Sequence, residues 1–234
     1  MSKNSILGQM TPNYLERPTI SDQVFDELYQ RVISLEMPPG TKISESEVAK
    51  ALGVSRQPVR DAFYRLSKLG FLLIRPQRVT TVSMISEQDV FQARFIRTAL
   101  EIETVRLACE KLRDEDMDTL EQILDQQLAA VEKSDKLGFH ALDDLFHKKI
   151  CELAGVGFVW NLIQEHKAHM DRVRYLSLSF ASHRAYEDHI KLFKMIRARD
   201  SENAVKQMRN HLSTILEHFK RIRTENETYF ATEE

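Results

Sequence analysis

Eight histidines are spread along the chain, and imidazoles bind divalent metals when folding gathers several at one point. Asp143 and His147 are four positions apart, which stacks them on one face of a helix. Further ligands must then come from other helices. His189, at the head of HIKLFKMI, and His211, at the head of HLSTIL, each lie on the apolar side of their own helix and are placed to supply them. Neutral imidazoles with one carboxylate suit zinc, with nickel or manganese as alternatives, and leave coordination positions for water or a small acid. Spacing leaves rivals open: His140 with His147 at i+7, His166 with His169 at i+3, or histidines that are merely polar groups on helix faces. The same set in an enzyme would activate water for hydrolysis, and in a pure metal sensor the ion itself would be the signal.

A second constellation suits DNA. In Ser55-Arg56-Gln57-Pro58-Val59-Arg60 the two arginines are at i, i+4 with Gln57 beside them, while Val59, Ala62 and Phe63 turn inward. Arginine pairs bidentately with guanine and glutamine with adenine, and a helix presents such side chains to the major groove from its first turns. The plainer alternative is an exposed helix with solvated arginines. Arg65 and Arg78 continue the basic run: between Arg56 and Arg78 there are six basic residues and one acid, Asp61. The two cysteines, Cys109 and Cys151, have no metal-type spacing and read as small buried side chains.

Two differently built segments must position these groups. All six prolines lie in the first 76 residues, whereas only three glycines fall among the last 158. Residues 1–83 carry 11 Lys+Arg against 8 Asp+Glu; the remainder carries 22 against 27, so a net charge of −2 divides into +3 and −5. A basic stripe on a near-neutral chain points to a polyanion-binding element joined to something else. Residues 1–18 read as a loose tail. A helix is expected over 21–36, stopped by MPPG, then a short helix at VAKAL capped by a Ser44–Glu47 box. A third runs from Ser55 to Gly70, and a hairpin in FLLIRPQRVTTVSMI turns at Pro76-Gln77-Arg78. Together these make a winged helix-turn-helix over 19–83. From 84 to 234 the pattern is all helix, at about 86–112, 114–134, 136–154, 156–178, 182–199 and 201–224, with Asp114 and Ser201 as caps. The fold class is therefore mainly α. With 42% hydrophobic and 29% charged residues, no run long enough to span a bilayer and no signal-peptide pattern, the expected location is cytoplasmic.

The stretch EMPPGTKISESEVAKALGVSRQPVRDAFYRLSKLGFL resembles the DNA-binding domain of the GntR family of bacterial transcription regulators. One departure stands out: the family's wing usually reads Arg-Gly, and here Val79 follows Arg78. A β-branched residue there favours a strand continuing through the wing tip. FIRTALEIETVRLA, LDDLFHKKICELAG and EDHIKLFKMIRARDSENAVKQMRNHL are similar to the all-helical FCD effector domain of the FadR subfamily. That resemblance places the metal ligands on Asp143, His147, His189 and His211. SRQPVR, IRPQR, FIR, DRVRY and RIRTEN further resemble the starvation-sensing Rsp operon repressors, a subgroup linked to sugar-acid metabolism. The resemblance implies a repressor, not an enzyme. Its operator affinity would be set by a small carboxylate at the metal, with Arg97 and Arg174 offering guanidinium groups to that acid; Asp171, Arg172 and Glu187 are weaker candidates. One recognition helix reads only a few base pairs, so a homodimer on palindromic half-sites is expected.

Overall fold

The computed structural model describes residues 18–232, so the expected tail lies, but for its last residue, outside the described region. Thr19 opens α1 (Ile20–Ile33): its hydroxyl accepts the Asp22 N–H at 3.1 Å while the Asp22 carboxylate accepts the Thr19 N–H at 3.1 Å. After β1 (Lys42–Ile43) comes α2 (Glu45–Leu52). The expected cap at Ser44 is only half formed: its oxygen accepts the Glu47 N–H at 3.2 Å, but its hydroxyl donates to the Glu47 carboxylate at 2.6 Å, so that carboxylate does not reach back to the Ser44 backbone. Gly53 ends α2 with φ +66°, a left-handed conformation that glycine adopts without strain, and the chain turns at once into α3 (Arg56–Lys68). Ser55 stands at the N-cap of α3 but makes no side-chain capping bond.

The wing is β2 (Leu72–Leu73) and β3 (Thr80–Val82), and β1 adds a third strand that sequence reading missed, in the order β1-β3-β2. All pairs are antiparallel, with Lys42 opposite Thr81 and Leu72 opposite Val82. The strand does not run through Val79. Arg78 N–H bonds to the Arg75 carbonyl at 3.2 Å, with Pro76 second and Gln77 third at φ +58°, so proline and a left-handed residue close a tight turn there. Val24, Leu28, Val32, Val59, Phe63, Leu66 and Phe71 form this segment's core.

The rest is helical: α4 (Glu87–Lys111), α5 (Asp114–Glu132), α6 (Lys136–Leu153), α7 (Phe158–Gln164), α8 (Ala168–Arg197) and α9 (Ser201–Glu225). The caps fall one residue earlier than expected for α5 and α9, at Arg113 and Asp200. The larger correction is at residues 156–199. In place of two helices parted near 180 there is a seven-residue α7 and a 30-residue α8. Nothing between Ser179 and Ser182 lacks an N–H or demands a left-handed backbone, so the helix continues. The break instead falls at His166-Lys167, where Lys167 is drawn inside by Asp144 and by Asp171 at 2.7 Å. Leu120, Phe146, Ile150, Leu192 and Ile196 are buried in the helical core.

The two segments are joined at residues 83–86. Arg172 of α8 is fully buried and donates to the Ser83 carbonyl, while the Ser83 hydroxyl donates to the Gly70 carbonyl at 2.6 Å. His169 Nδ1 accepts the Ser86 N–H at 3.0 Å. The chain's far end returns to the same place: Ile85 N–H donates to the Tyr229 carbonyl at 2.8 Å and Ala231 N–H to the Ile85 carbonyl at 2.8 Å.

Candidate functional site

The helix α3 presents Arg56, Gln57 and Arg60 to solvent, and its opposite face, Val59, Ala62, Phe63 and Leu66, is buried. Arg56 and Arg60 both lean on Glu45 of α2, at 3.4 and 3.3 Å, and Gln57 donates to Asp61 at 3.0 Å. Such exposed pairs hold by about 1 kcal/mol or less and can be exchanged for phosphates and bases. Arg65 is arranged differently: it bonds Asp22 at 2.8 Å and lies 3.9 Å over the Phe25 ring, which holds it against α1. Arg78 is exposed beside the wing turn.

Four other side chains meet inside the helical segment. Asp143 and His147 come from α6, His189 from α8 and His211 from α9, and one potential ligand atom from each lies within 4.8 Å of all the others. His189 Nε2 is 3.3 Å from His211 Nε2 and 3.6 Å from Asp143 Oδ1; His147 Nε2 is 4.0 Å from Asp143 Oδ2. Atoms bound to one ion at about 2 Å stand roughly 3 to 4 Å apart. His147 Nε2 is buried with no hydrogen-bond partner among the described residues, which is the state of a nitrogen shaped for an ion. Each histidine turns its Nδ1 outward to a second group: His147 to Glu101, His189 to the Gln127 carbonyl oxygen at 2.8 Å, and His211 towards Asp188 at 3.8 Å. A hydrogen bond such as that between His189 and Gln127 fixes ring orientation and tautomer, leaving Nε2 free for a metal, whereas the His211 Nδ1 at 3.8 Å from Asp188 is beyond hydrogen-bond distance. Burial pushes His189 and His211 below the ordinary histidine range, which keeps both imidazoles in the neutral form ligation needs. Asp143 is held well below the carboxylate range: burial opposes this, but Arg174 and the histidines outweigh it. The residues present therefore fit a divalent ion.

The two expected anion-binding arginines are both engaged. Arg97 is buried and bonds Glu101 at 2.6 Å, keeping one nitrogen, Nη2, buried without a partner. Arg174 reaches Asp143, Asp144 at 3.0 Å and Asp171 at 2.7 Å. It is placed to hold Asp143 in position. Arg172 points into the domain junction, and Glu187 is exposed. Of the rival histidine sets, His140 faces Asp171 at 3.7 Å and His169 belongs to the junction. His140, Asp144 and Asp171 also converge, but Lys167 and Arg174 already sit between these carboxylates, so two cationic side chains fill the place of an ion. Burial pushes the Cys109 thiol up to about 11 and that of Cys151 up to about 12, so neither is a reactive thiolate.

Sequence reading missed Glu101, Gln127 and Asp188, the groups behind the histidines. Glu101 left a signal, because it follows Arg97 by four positions on a helix, the spacing of an ion pair; Gln127 left none. Beside the centre a cavity of about 70 Å³ opens towards solvent, walled by Arg97, Asp143, Arg174, His211, Leu178 and Ile215 among others.

A winged helix-turn-helix joined to a helical bundle is the construction of a DNA-binding regulator. The chain matches "Bacterial regulatory proteins, gntR family" over residues 20–82 and "FCD domain" over residues 90–214. It is 36% identical over 216 residues to "HTH-type transcriptional repressor RspR" of Escherichia coli (strain K12), covering 92% of this chain and 95% of that protein. With the "Nta operon transcriptional regulator" of Aminobacter aminovorans it shares 27% over 191 residues, 79% of this chain and 89% of that one. Among solved structures, "E. coli McbR/YncC" superposes with a TM-score of 0.74 at 21% identity, covering 88% of this chain and 98% of that one, a likeness of fold alone. The chain belongs to the GntR family of transcription regulators, in its branch with an FCD domain. Its relatives are regulators and not enzymes.

Proposed function

We propose that this protein is a transcriptional repressor whose operator affinity is governed by a small carboxylate bound at a divalent metal ion. The winged helix of residues 19–83 reads DNA through Ser55, Arg56, Gln57, Arg60 and Arg78, with Arg65 steadying α3 from behind. Residues 84–234 bind the effector and form a homodimer, which sets two recognition helices on palindromic half-sites. Asp143, His147, His189 and His211 hold the ion, zinc first and nickel or manganese as alternatives, and the bound ion supplies a Lewis-acidic point for a carboxylate oxygen. Arg97 orients the acid, and Arg174 holds Asp143. A sugar acid is the favoured class, following the resemblance to the Rsp operon repressors.

The observation that carries this reading is the convergence of three Nε2 atoms on Asp143, each ring backed by a separate partner. Hydrolysis is set aside because the relatives are regulators. A titration of operator affinity against zinc alone, and against sugar acids with and without zinc, tests the reading. An acid response that needs the metal is expected. A response to zinc alone would make the ion the signal, and a response to acids in chelator-treated protein would move the acid elsewhere.

A further inference from the structure

We infer that the effector carries two anionic groups, and that Arg94 receives the second one at the outer end of the cavity. This inference rests on the metal-carboxylate reading above and narrows its ligand class.

The observation starts from what the three arginines of the cavity wall face. Arg97 has Glu101, and Arg174 has three aspartates. Arg94 has no carboxylate within ion-pair distance among the described residues, and its Nε is buried with no hydrogen-bond partner there. Arg97 Nη2 and Thr98 Oγ1 share that condition. Arg94, Arg97 and Thr98 are at i, i+3 and i+4, so one stripe of α4 carries three buried donors without acceptors. A buried donor left unpaired costs about 1 to 3 kcal/mol, and two of these, on Arg94 and Arg97, belong to side chains of the cavity wall, which marks a missing acceptor there.

Charge decides what that acceptor is. A divalent ion with Asp143 as its one carboxylate leaves the inner end one charge positive, which a single carboxylate balances. Arg94 then remains uncompensated. It lies seven positions before Glu101 on α4, and His218 lies seven after His211 on α9; both line the cavity. Seven helical residues span roughly 10 Å, so the outer end stands about that far from the histidines. An acid of roughly four to six carbons with an anionic group at each end bridges such a distance. Ser177 and Thr214, between the two ends, offer hydroxyls to those of a polyhydroxy chain. The second anion can be a carboxylate or a phosphate, since a guanidinium pairs with either.

Calorimetry on full-length, zinc-loaded protein tests the inference with acids matched in length: D-gluconate against D-glucarate, 3-hydroxybutyrate against malate, and 6-phospho-D-gluconate as the phosphate arm. We expect at least one dianion to bind about tenfold or more tightly than its monoanionic partner, with Arg94→Gln reducing that preference to near unity and Arg94→Lys restoring part of it. Helical circular dichroism and zinc content check that the variants are folded and loaded. Glucarate or malate ahead of phosphogluconate identifies the second group as carboxylate; the reverse identifies phosphate. Monoanions binding as tightly as dianions, or Arg94→Gln weakening both classes equally, would overturn the inference and leave the acid site standing. Zinc-loaded protein that binds none of these acids would overturn the inference together with the reading beneath it, whereas the first two results touch the inference alone.

Discussion

At the residue scale the proposed metal site depends on groups that would not touch the ion. Glu101 is buried between Arg97 and His147, and its carboxyl is held low: burial opposes this, but Arg97 and His147 outweigh it. Glu101→Gln keeps the shape while removing the charge that aligns His147, so zinc affinity should fall by roughly 10- to 100-fold, read by competition with a chelating dye. His189→Ala removes a ligand outright, and metal analysis should find that variant largely empty; full occupancy would place the centre elsewhere. In the DNA-binding segment, Arg56→Ala should cost roughly 1 to 3 kcal/mol and relax selectivity at one base position if Arg56 reads a base, whereas loss of a phosphate contact would lower the salt slope by about one. Operator binding that ignores this change would remove α3 from the interface. His169 gives a pH dependence whose sign is fixed by its surroundings. Burial, and then Arg172, bring it down to about 4, against the work of Asp89, while the unfolded chain titrates near 6.5. The fold thus holds His169 neutral: its contribution is intact above about pH 6.5 and is lost as pH falls through 4, because the unfolded chain takes up the proton first. Between those limits wild type should lose roughly 3 kcal/mol more than His169→Gln, measured by denaturant unfolding of each protein at several pH values.

At the element scale, much was legible because local signals were strong. The order helix, helix, recognition helix and wing follows from apolar spacing, from Gly53 and Gly70, and from the proline-rich turn at residues 38–40. The helices that bring the four candidate ligands together followed from Asp143 and His147 at i, i+4 and from apolar runs beside His189 and His211. What was not legible depended on contacts distant in sequence. The two-residue β1 exists only because Thr80 and Thr81 arrive to pair with it. The division between α7 and α8 depends on Asp144, more than 20 positions away, pulling Lys167 inward. Arg174 reads as an anion-binding arginine until the fold supplies three aspartates to occupy it. Val79 is a further instance: its β-branch argues for a strand, but the turn at Pro76-Gln77 is closed before it and leaves the residue 56% exposed. With no packing to lose, Val79→Gly should leave thermal stability within about 1 kcal/mol of wild type and operator affinity equal or better. A large loss of affinity alone would show that the valine methyls themselves contact DNA.

At the scale of the whole molecule, the start of α8 ties the two segments together, and its neighbouring residues face opposite ways. Arg174 looks inward to Asp143 at the proposed metal site, Asp171 and Lys167 carry that charge network onward, and Arg172 enters the winged-helix segment at Ser83. On the proposed function, an acid that drew on the charge around Asp143 would change what Arg174 must balance, and Arg172, two residues away on the same helix, would pass the shift to the junction. Binding at one end and at the other must then be coupled equally in both directions. If a sugar acid weakens operator binding tenfold, the operator complex must bind that acid tenfold less tightly, a coupling of about 1.4 kcal/mol. Arg172→Met keeps length and apolar bulk but gives up the bond to Ser83. In this variant zinc and acid should still bind to the free protein, with the two acid affinities, measured by calorimetry with and without operator, drawing together. A tenfold difference that survives in Arg172→Met would mean that the signal reaches the DNA-binding segment by another route, and the return of the chain's end to Ile85 through Tyr229 and Ala231 is the next contact to cut.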